Sequence, residues 1–272
     1  MSEKLNELFS LLEKNLAYSI YSLGILEKYN TNQFNLNYVI GDYPNFGIMI
    51  SEFTDKNFLL LSGSSLIISQ MLENIRLPKK NQLISANSDH IQLLTNKYSL
   101  SNLSAQQRML ISKEEFQTYE TSSKYQIKKL SYKDHKIIKN FYYNAGHKID
   151  FDPELIEEGA FFGAFYENKL IACVCTHLIS KKFKCAAVGN VLTLKEYRKQ
   201  GLASNLTSLV TKDLLNRNCN YVALSVNIQN SQALRIYEKL GYKIITKNYE
   251  GELINKKDLL IKKIFNELIR GR

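Results

Sequence analysis

The stretch FKCAAVGNVLTLKEYRKQGLASNLTSLVTKDLLNRN, residues 183–218, constrains the fold more than any other part of the chain. An apolar, strand-like run over 183–193 leads through a short polar turn into the strongest amphipathic helix of the sequence, 201–218. Leu202, Leu206, Leu209, Val210 and Leu214 form one apolar stripe along it. A strand feeding a one-faced helix is the unit from which α/β domains are built. Gly189 within the strand marks a bulge or a close approach of backbone.

The turn carries Arg198, Lys199, Gln200 and Gly201. The first turn of a helix has unpaired N–H groups and the positive end of its dipole. An anion placed there collects several backbone hydrogen bonds, and a glycine lets the main chain come close to it. The turn therefore suits a phosphate or pyrophosphate; taken alone, it also reads as a plain tight connection. No GxxxxGK[ST] is present, so this is not the phosphate loop of an NTPase, and no GxGxxG supports a dinucleotide fold.

The rest of the 272 residues alternates in the same manner, with length for one large domain or two modest ones. Residues 2–28 predict a helix; 37–43, 46–53 and 57–63 predict strands; 64–75 and 88–98 predict helices around a strand at 81–86; 108–116 predicts a strand. The polar segment 117–124 is the expected boundary. After it come a strand (125–131), a helix (132–146), a short helix entered through Pro153, two strands about the Glu167-Asn168 turn, the unit at 183–218, a strand (220–227), a helix (230–241) capped by Asn230 and closed by Gly241, and a strand (242–249). The expected organisation is an αβ domain over 1–122, a second over 123–250, and a basic amphipathic helix over 251–272 that docks on its own domain or a second subunit.

Charge separates the halves. Residues 1–122 hold 10 Lys and Arg against 12 Asp and Glu, while 123–272 hold 26 against 14. Such a basic half suits a polyanion, either nucleic acid or a phosphate-bearing cofactor. The absence of an aromatic-basic interleaved motif makes nucleic acid a poor candidate. The four cysteines (173, 175, 185, 219) have neither zinc nor redox spacing and read as buried thiols in a reducing compartment. The four histidines form no HxxxH or HExxH pattern, so no metal is expected. No apolar run reaches the length of a membrane span and the N-terminus lacks a signal-like apolar block, so a cytoplasmic protein with no membrane partner is expected.

A second segment, NIQNSQALRIYEKLGYK at 227–243, narrows the reading. Arg198, Gly201 and Ala203 in the pattern Arg-x-x-Gly-x-Ala are followed, after one helix and one strand, by Asn230, Ala233, Tyr237, Gly241 and Tyr242 in Asn-x-x-Ala-x-x-x-Tyr-x-x-x-Gly-Tyr. This pair at this spacing resembles the GNAT superfamily of acyl-CoA-dependent N-acyltransferases, over about residues 125–249. The resemblance implies an α/β fold with a mixed, splayed central sheet, preceded by a smaller αβ domain. It further resembles the two-part members, in which a degenerate half accompanies the active one. Residues 1–122 lack the Arg-x-x-Gly-x-Ala loop and are expected not to bind CoA.

What the resemblance implies can be placed on residues. The loop amides of Lys199, Gln200, Gly201, Leu202, Ala203 and Ser204 hold the CoA pyrophosphate, with Arg198 adding charge. The strand at Val191, Leu192 and Thr193 pairs with the pantetheine arm. Asn227 and Asn230 line the cleft beside the splayed strand, and Tyr237 stands near the sulfur. An amine attacks the thioester carbonyl, backbone N–H groups stabilise the oxyanion, and the phenol protonates the leaving thiolate. Tyr237 also fits a plain core aromatic spaced with Leu234 and Leu240. Many relatives carry a carboxylate on the central strand as base. This strand has none, and Glu158, Asp152, His147 and His177 remain as alternatives.

Five acids between Asp150 and Glu158 form either a rim that draws a cationic amine or a solvated helix start. The implied function is N-acetyl transfer from acetyl-CoA to a primary amine, on a small molecule or a peptide, in a direct ternary complex. The alternative is a CoA-binding regulatory protein that has lost turnover. A homodimer is compatible with either.

Overall fold

The structure, a computed structural model, describes residues 3–28, 33–53, 56–75, 77, 80–120, 124–147, 149 and 153–256. The chain divides into two compact units, Met1–Gln107 with Thr246–Arg272, and Arg108–Ile245. Both divisions fall inside long strands, so neither coincides with the expected boundary at 122.

The first unit contains α1 (Glu3–Glu13), α2 (Leu16–Lys28), β1 (Asn35–Val39), β2 (Gly47–Phe53), β3 (Lys56–Gly63), α3 (Ser65–Asn74), β4 (Lys80–Ala86), α4 (Ser88–Lys97) and the start of β5 (Tyr98–Ser112); the end of β11 (Lys243–Asn255) joins it. Its strands lie in the order β1-β2-β3-β4-β11-β5; β1–β2, β2–β3 and β4–β11 are antiparallel and β3–β4 is parallel. Three expectations are corrected here. The single helix over 2–28 breaks at a turn, Lys14-Asn15. The strand expected from 108 starts at Tyr98; after the buried Tyr98 its first residues are half-exposed or exposed without alternation, so no period-2 pattern marks them. Residues 251–255 are strand rather than helix: Leu253 is fully buried, and Gly251 lies so close to Leu103 and Ser101 that a Cβ would stand 3.1 Å from their backbone. The remainder of the expected C-terminal helix, from 257, lies outside the described residues.

His90 on α4 is fully buried, and its Nε2 donates to the Gly63 carbonyl at 3.1 Å while Nδ1 has no partner among the described residues. Burial pushes its pKa from the ordinary 6.5 down to about 4, against the Gly63 bond and nearby Asp89. Between those values the unfolded chain binds the extra proton, so stability present above pH 6.5 is lost as pH falls through 4. Thermal melts at pH 7 and pH 4.5 should show this acid loss, up to about 3 kcal/mol. His90→Gln, which keeps a donor but does not titrate, should flatten it.

The second unit holds the end of β5, β6 (Gln126–Lys129), α5 (His135–Asn144), α6 (Pro153–Glu158), β7 (Phe161–Tyr166), β8 (Lys169–Ser180), β9 (Cys185–Thr193), α7 (Leu202–Asn216), β10 (Tyr221–Asn227), α8 (Ser231–Lys239) and the start of β11. Strand order is β5-β10-β9-β8-β7-β6. β6 to β9 form an antiparallel meander, and β9–β10 is parallel, with α7 as the crossover that parallel pairing needs. The stripe of α7 buries Leu202, Leu206, Val210 and Leu214 against Val174, Val188, Val222 and Leu224. On the other face, α5 and α6 pack Ile138, Phe141, Tyr142 and Ile156 against Phe161, Cys173 and Cys175. All four cysteines are buried free thiols, with the Cys173 and Cys175 sulfurs 3.6 Å apart on one face.

Candidate functional site

β9 and β10 pair from Tyr221↔Cys185 to Leu224↔Val188 and then part. Two irregularities in the β8–β9 register accompany the parting: β9 gains a residue between the pairs Cys175↔Gly189 and Cys173↔Leu192, and β8 gains one at His177. Asn190, in the β9 bulge, takes φ 52. Beyond this point a cleft of about 790 Å³ opens beside β9.

Val191, Leu192 and Thr193 of β9 line one wall of the cleft. Next around it come Arg198, Lys199 and Gly201 of the turn, then Leu202, Ala203 and Ser204 in the first turn of α7. Lys199 and Gly201 both adopt left-handed backbone, φ 61 and φ 75, and Gly201 is the N-cap of α7. The first amide bonded within the helix is that of Asn205, to the Gly201 carbonyl. The amides of residues 202–204 are thus helix-terminal donors beside the cleft. Arg198 Nε donates to the Thr193 carbonyl at 3.0 Å, tying the turn to the end of β9.

α8 forms the opposite wall. Asn230 caps it, its side chain accepting from the Ala233 amide at 3.1 Å. Tyr237 lines the cleft with its ring 6 % exposed and set edge-on to Tyr242, 6.1 Å between centroids. Its hydroxyl makes no hydrogen bond to a described residue. Burial pushes the phenol's pKa up to about 12. Arg235 and Lys239 join Arg198 and Lys199 around the cleft, and no described lining residue is acidic. The site is a cationic groove with an unpartnered phenol.

Two expected residues do not line it. Gln200 faces away, its Oε1 accepting from the Tyr125 hydroxyl at 2.6 Å, and Tyr125 stands edge-on to Tyr166 and Tyr197. Asn227 closes the end of β10, its Oδ1 accepting from the Gln229 amide at 2.8 Å and its carbonyl from the Asn230 amide. Sequence reading passed over Tyr119, Tyr197, Arg235 and Lys239, which also line the cleft. The two α8 cations are four apart in sequence, a spacing that sets them on one helical face.

Of the alternatives for a base, Asp152 lies outside the described residues. Glu158 stands 3.7 Å from Lys181, and its backbone carbonyl accepts from Arg217. His147 is in the exposed loop after α5, and none of Glu158, His147 and His177 lines the cleft. Among the described residues no group of His, Cys, Asp and Glu could hold a metal, and no helix is long and apolar enough to cross a membrane.

Comparison with known proteins agrees with this geometry. The model of the acetyltransferase (GNAT) family matches residues 124–242. An N-alpha-acetyltransferase MAK3 from Arabidopsis thaliana is 28% identical over 82 residues, covering 30% of this chain and 43% of that protein, so the chain spans less than half the length of this curated relative. A GCN5-related N-acetyltransferase from Kribbella flavida superposes with TM-score 0.61 at 15% identity, over 89% of this chain and 96% of that one. A tandem GNAT protein from the clavulanic acid biosynthesis pathway superposes with TM-score 0.56 at 8% identity, over 91% and 94%. At these identities the superpositions establish the shared fold, and they extend over both units.

Proposed function

The chain belongs to the GNAT superfamily through residues 124–242, and on that premise we propose that it is an N-acetyltransferase moving acetyl from acetyl-CoA to a primary amine within a ternary complex. The observation that carries the reading is the turn at the mouth of α7. Two left-handed residues open three helix-terminal amides onto a groove ringed by four cations, beside parted strands. Such a site suits a pyrophosphate, which collects the amides and the dipole together. Val191–Thr193, unpaired with β10, keep backbone for an amide-bearing pantetheine arm. Tyr237 stands across the groove as the proton donor to the leaving sulfur. No covalent intermediate is needed, because holding amine and thioester together removes much of the entropic barrier.

The first unit has a strand–glycine–helix passage of its own, β3 to α3 through Gly63. Its backbone is occupied: the Ser64 amide donates to the Phe46 carbonyl at 2.8 Å, and a Cβ on Gly63 would stand 2.1 Å from that oxygen. This supports a first unit without a CoA site. The free thiols suit a reducing cytoplasm. The lack of a carboxylate on β9 favours a second reading, a CoA-binding regulator without turnover. One assay separates the two: release of CoA thiol from acetyl-CoA with a peptide α-amine, spermidine and glucosamine as probe amines. The peptide comes first because of the similarity to an N-alpha-acetyltransferase. Amine-dependent release, with acetylated product in the mass spectrum, is the expected result. Acetyl-CoA binding without release from any probe would favour the regulator.

A further inference from the structure

The groove carries more positive charge than the α7 turn accounts for. Arg198 and Lys199 belong to the turn itself, whereas Arg235 and Lys239 reach the cleft from α8 on the other wall. Both α8 cations are exposed, and neither is held in an ion pair with a described residue. Four apart, they share one face of the helix, where like charges repel and cost helix stability. An anion seated between them would turn that cost into a gain.

The same part of the groove holds an aromatic ring. The segment after β5 crosses from α8 to α7: the Gln117 amide donates to the Leu240 carbonyl at 2.9 Å, and the Tyr119 amide donates to the Ser208 hydroxyl at 2.8 Å. Gly241 permits the crossing, since a Cβ there would stand 2.2 Å from the Glu115 carbonyl oxygen. Leu240 directly follows Lys239, and Ser208 lies about 6 Å along α7 from Ser204, roughly one turn. Tyr119 is half-buried; it packs against the core cluster that takes the α7 stripe, and it lines the cleft. Its place is thus about one helical turn beyond the amides of 202–204, on the side where α8 ends.

We propose that Arg235 and Lys239 bind the 3′-phosphate of the donor while Tyr119 stacks on its adenine, a role that rests on the acetyltransferase reading above. In coenzyme A a single ribose joins the pyrophosphate to both the base and the 3′-phosphate, so a ligand anchored at the α7 turn brings both to the next stretch of the groove. The 3′-phosphate is a monoester with a charge of about −1.5 to −2 at neutral pH, a match for two cations on one helical face. An aromatic ring beside it offers a stacking platform for the base. The consequence is donor selection. These residues favour a free CoA thioester over the same acyl group on the phosphopantetheine arm of a carrier protein, which has neither adenine nor 3′-phosphate.

The test is calorimetric titration of wild type and of the double variant Arg235→Gln/Lys239→Gln with CoA and with 3′-dephospho-CoA. Wild type should bind CoA about tenfold more tightly than 3′-dephospho-CoA, and the double variant should bind the two alike. Binding of 3′-dephospho-CoA by the double variant reports a folded groove in the same experiment. Tyr119→Ala should weaken both ligands by about tenfold and leave their ratio as in wild type. A wild-type ratio near one, or a ratio that survives in the double variant, would overturn the 3′-phosphate site while CoA binding still supported the acetyltransferase reading. Wild-type affinity in Tyr119→Ala would remove the stacking role. Wild type that binds neither ligand would remove the site and the acetyltransferase reading together.

Discussion

Gly201→Glu is expected to abolish acetyl-CoA binding with the fold intact. Gly201 caps α7 at φ 75 and ψ −2, where an L side chain costs roughly 1–2 kcal/mol. The larger effect is charge. A carboxylate at the mouth of the helix occupies the position of the pyrophosphate, satisfies the amides of 202–204 itself, and repels the ligand. At about 4 Å and an effective dielectric constant near 20, that repulsion is about 4 kcal/mol, close to a thousandfold in affinity. Wild type at about 100 times the dissociation constant should gain roughly 2.7 kcal/mol of apparent stability, and the variant none. Gly201→Ala introduces the backbone strain without the charge, so it should keep most of the ligand-induced rise. A Gly201→Glu protein stabilised as strongly as wild type would mean that the turn is a connection only.

What the chain disclosed in advance follows from how local each signal is. The β9–turn–α7 passage and the Asn230 cap of α8 stand where periodicity and capping chemistry put them, because both are settled within a few residues. β5 was half hidden: past the buried Tyr98 its segment 99–107 is half-exposed or exposed without alternation, and it is a strand through pairing that no local pattern announces. The end of β11 was hidden likewise, since Gly251 and Leu253 are held by β4 and by Ser101 and Leu103, some 150 positions away in the chain. Within the site, backbone roles were easier to read than side-chain directions. The turn sequence suggests amides open to an anion, but it does not reveal that Gln200 turns away to Tyr125. The bulge that brings His177 against Gly189 left a trace in the glycine itself, whose partner only the structure identifies.

Tyr237→Phe is the second large effect, a fall in kcat of about 100-fold with acetyl-CoA affinity unchanged. The ring is buried against Tyr242, while its hydroxyl bonds no described residue and is not one of the fully buried unpaired polar atoms, so little stability rests on it. Removing that oxygen should therefore leave the melting temperature unchanged or slightly higher. A phenol pushed up to about 12 is protonated throughout the working range, so it cannot produce an alkaline limb near neutrality. Against an ordinary thiol near 8.5, full transfer of its proton would be uphill by roughly 5 kcal/mol. The sulfur, however, is desolvated in the same groove, and burial raises its proton affinity as well. The phenol thus acts first as a hydrogen-bond donor to charge developing on sulfur and completes the transfer as the C–S bond opens. On that account kcat falls while the shape of the pH profile near neutrality is preserved, since the phenol does not titrate there. Unchanged kcat in a stable Tyr237→Phe protein would assign the ring to packing alone and leave the thiolate to be protonated by water.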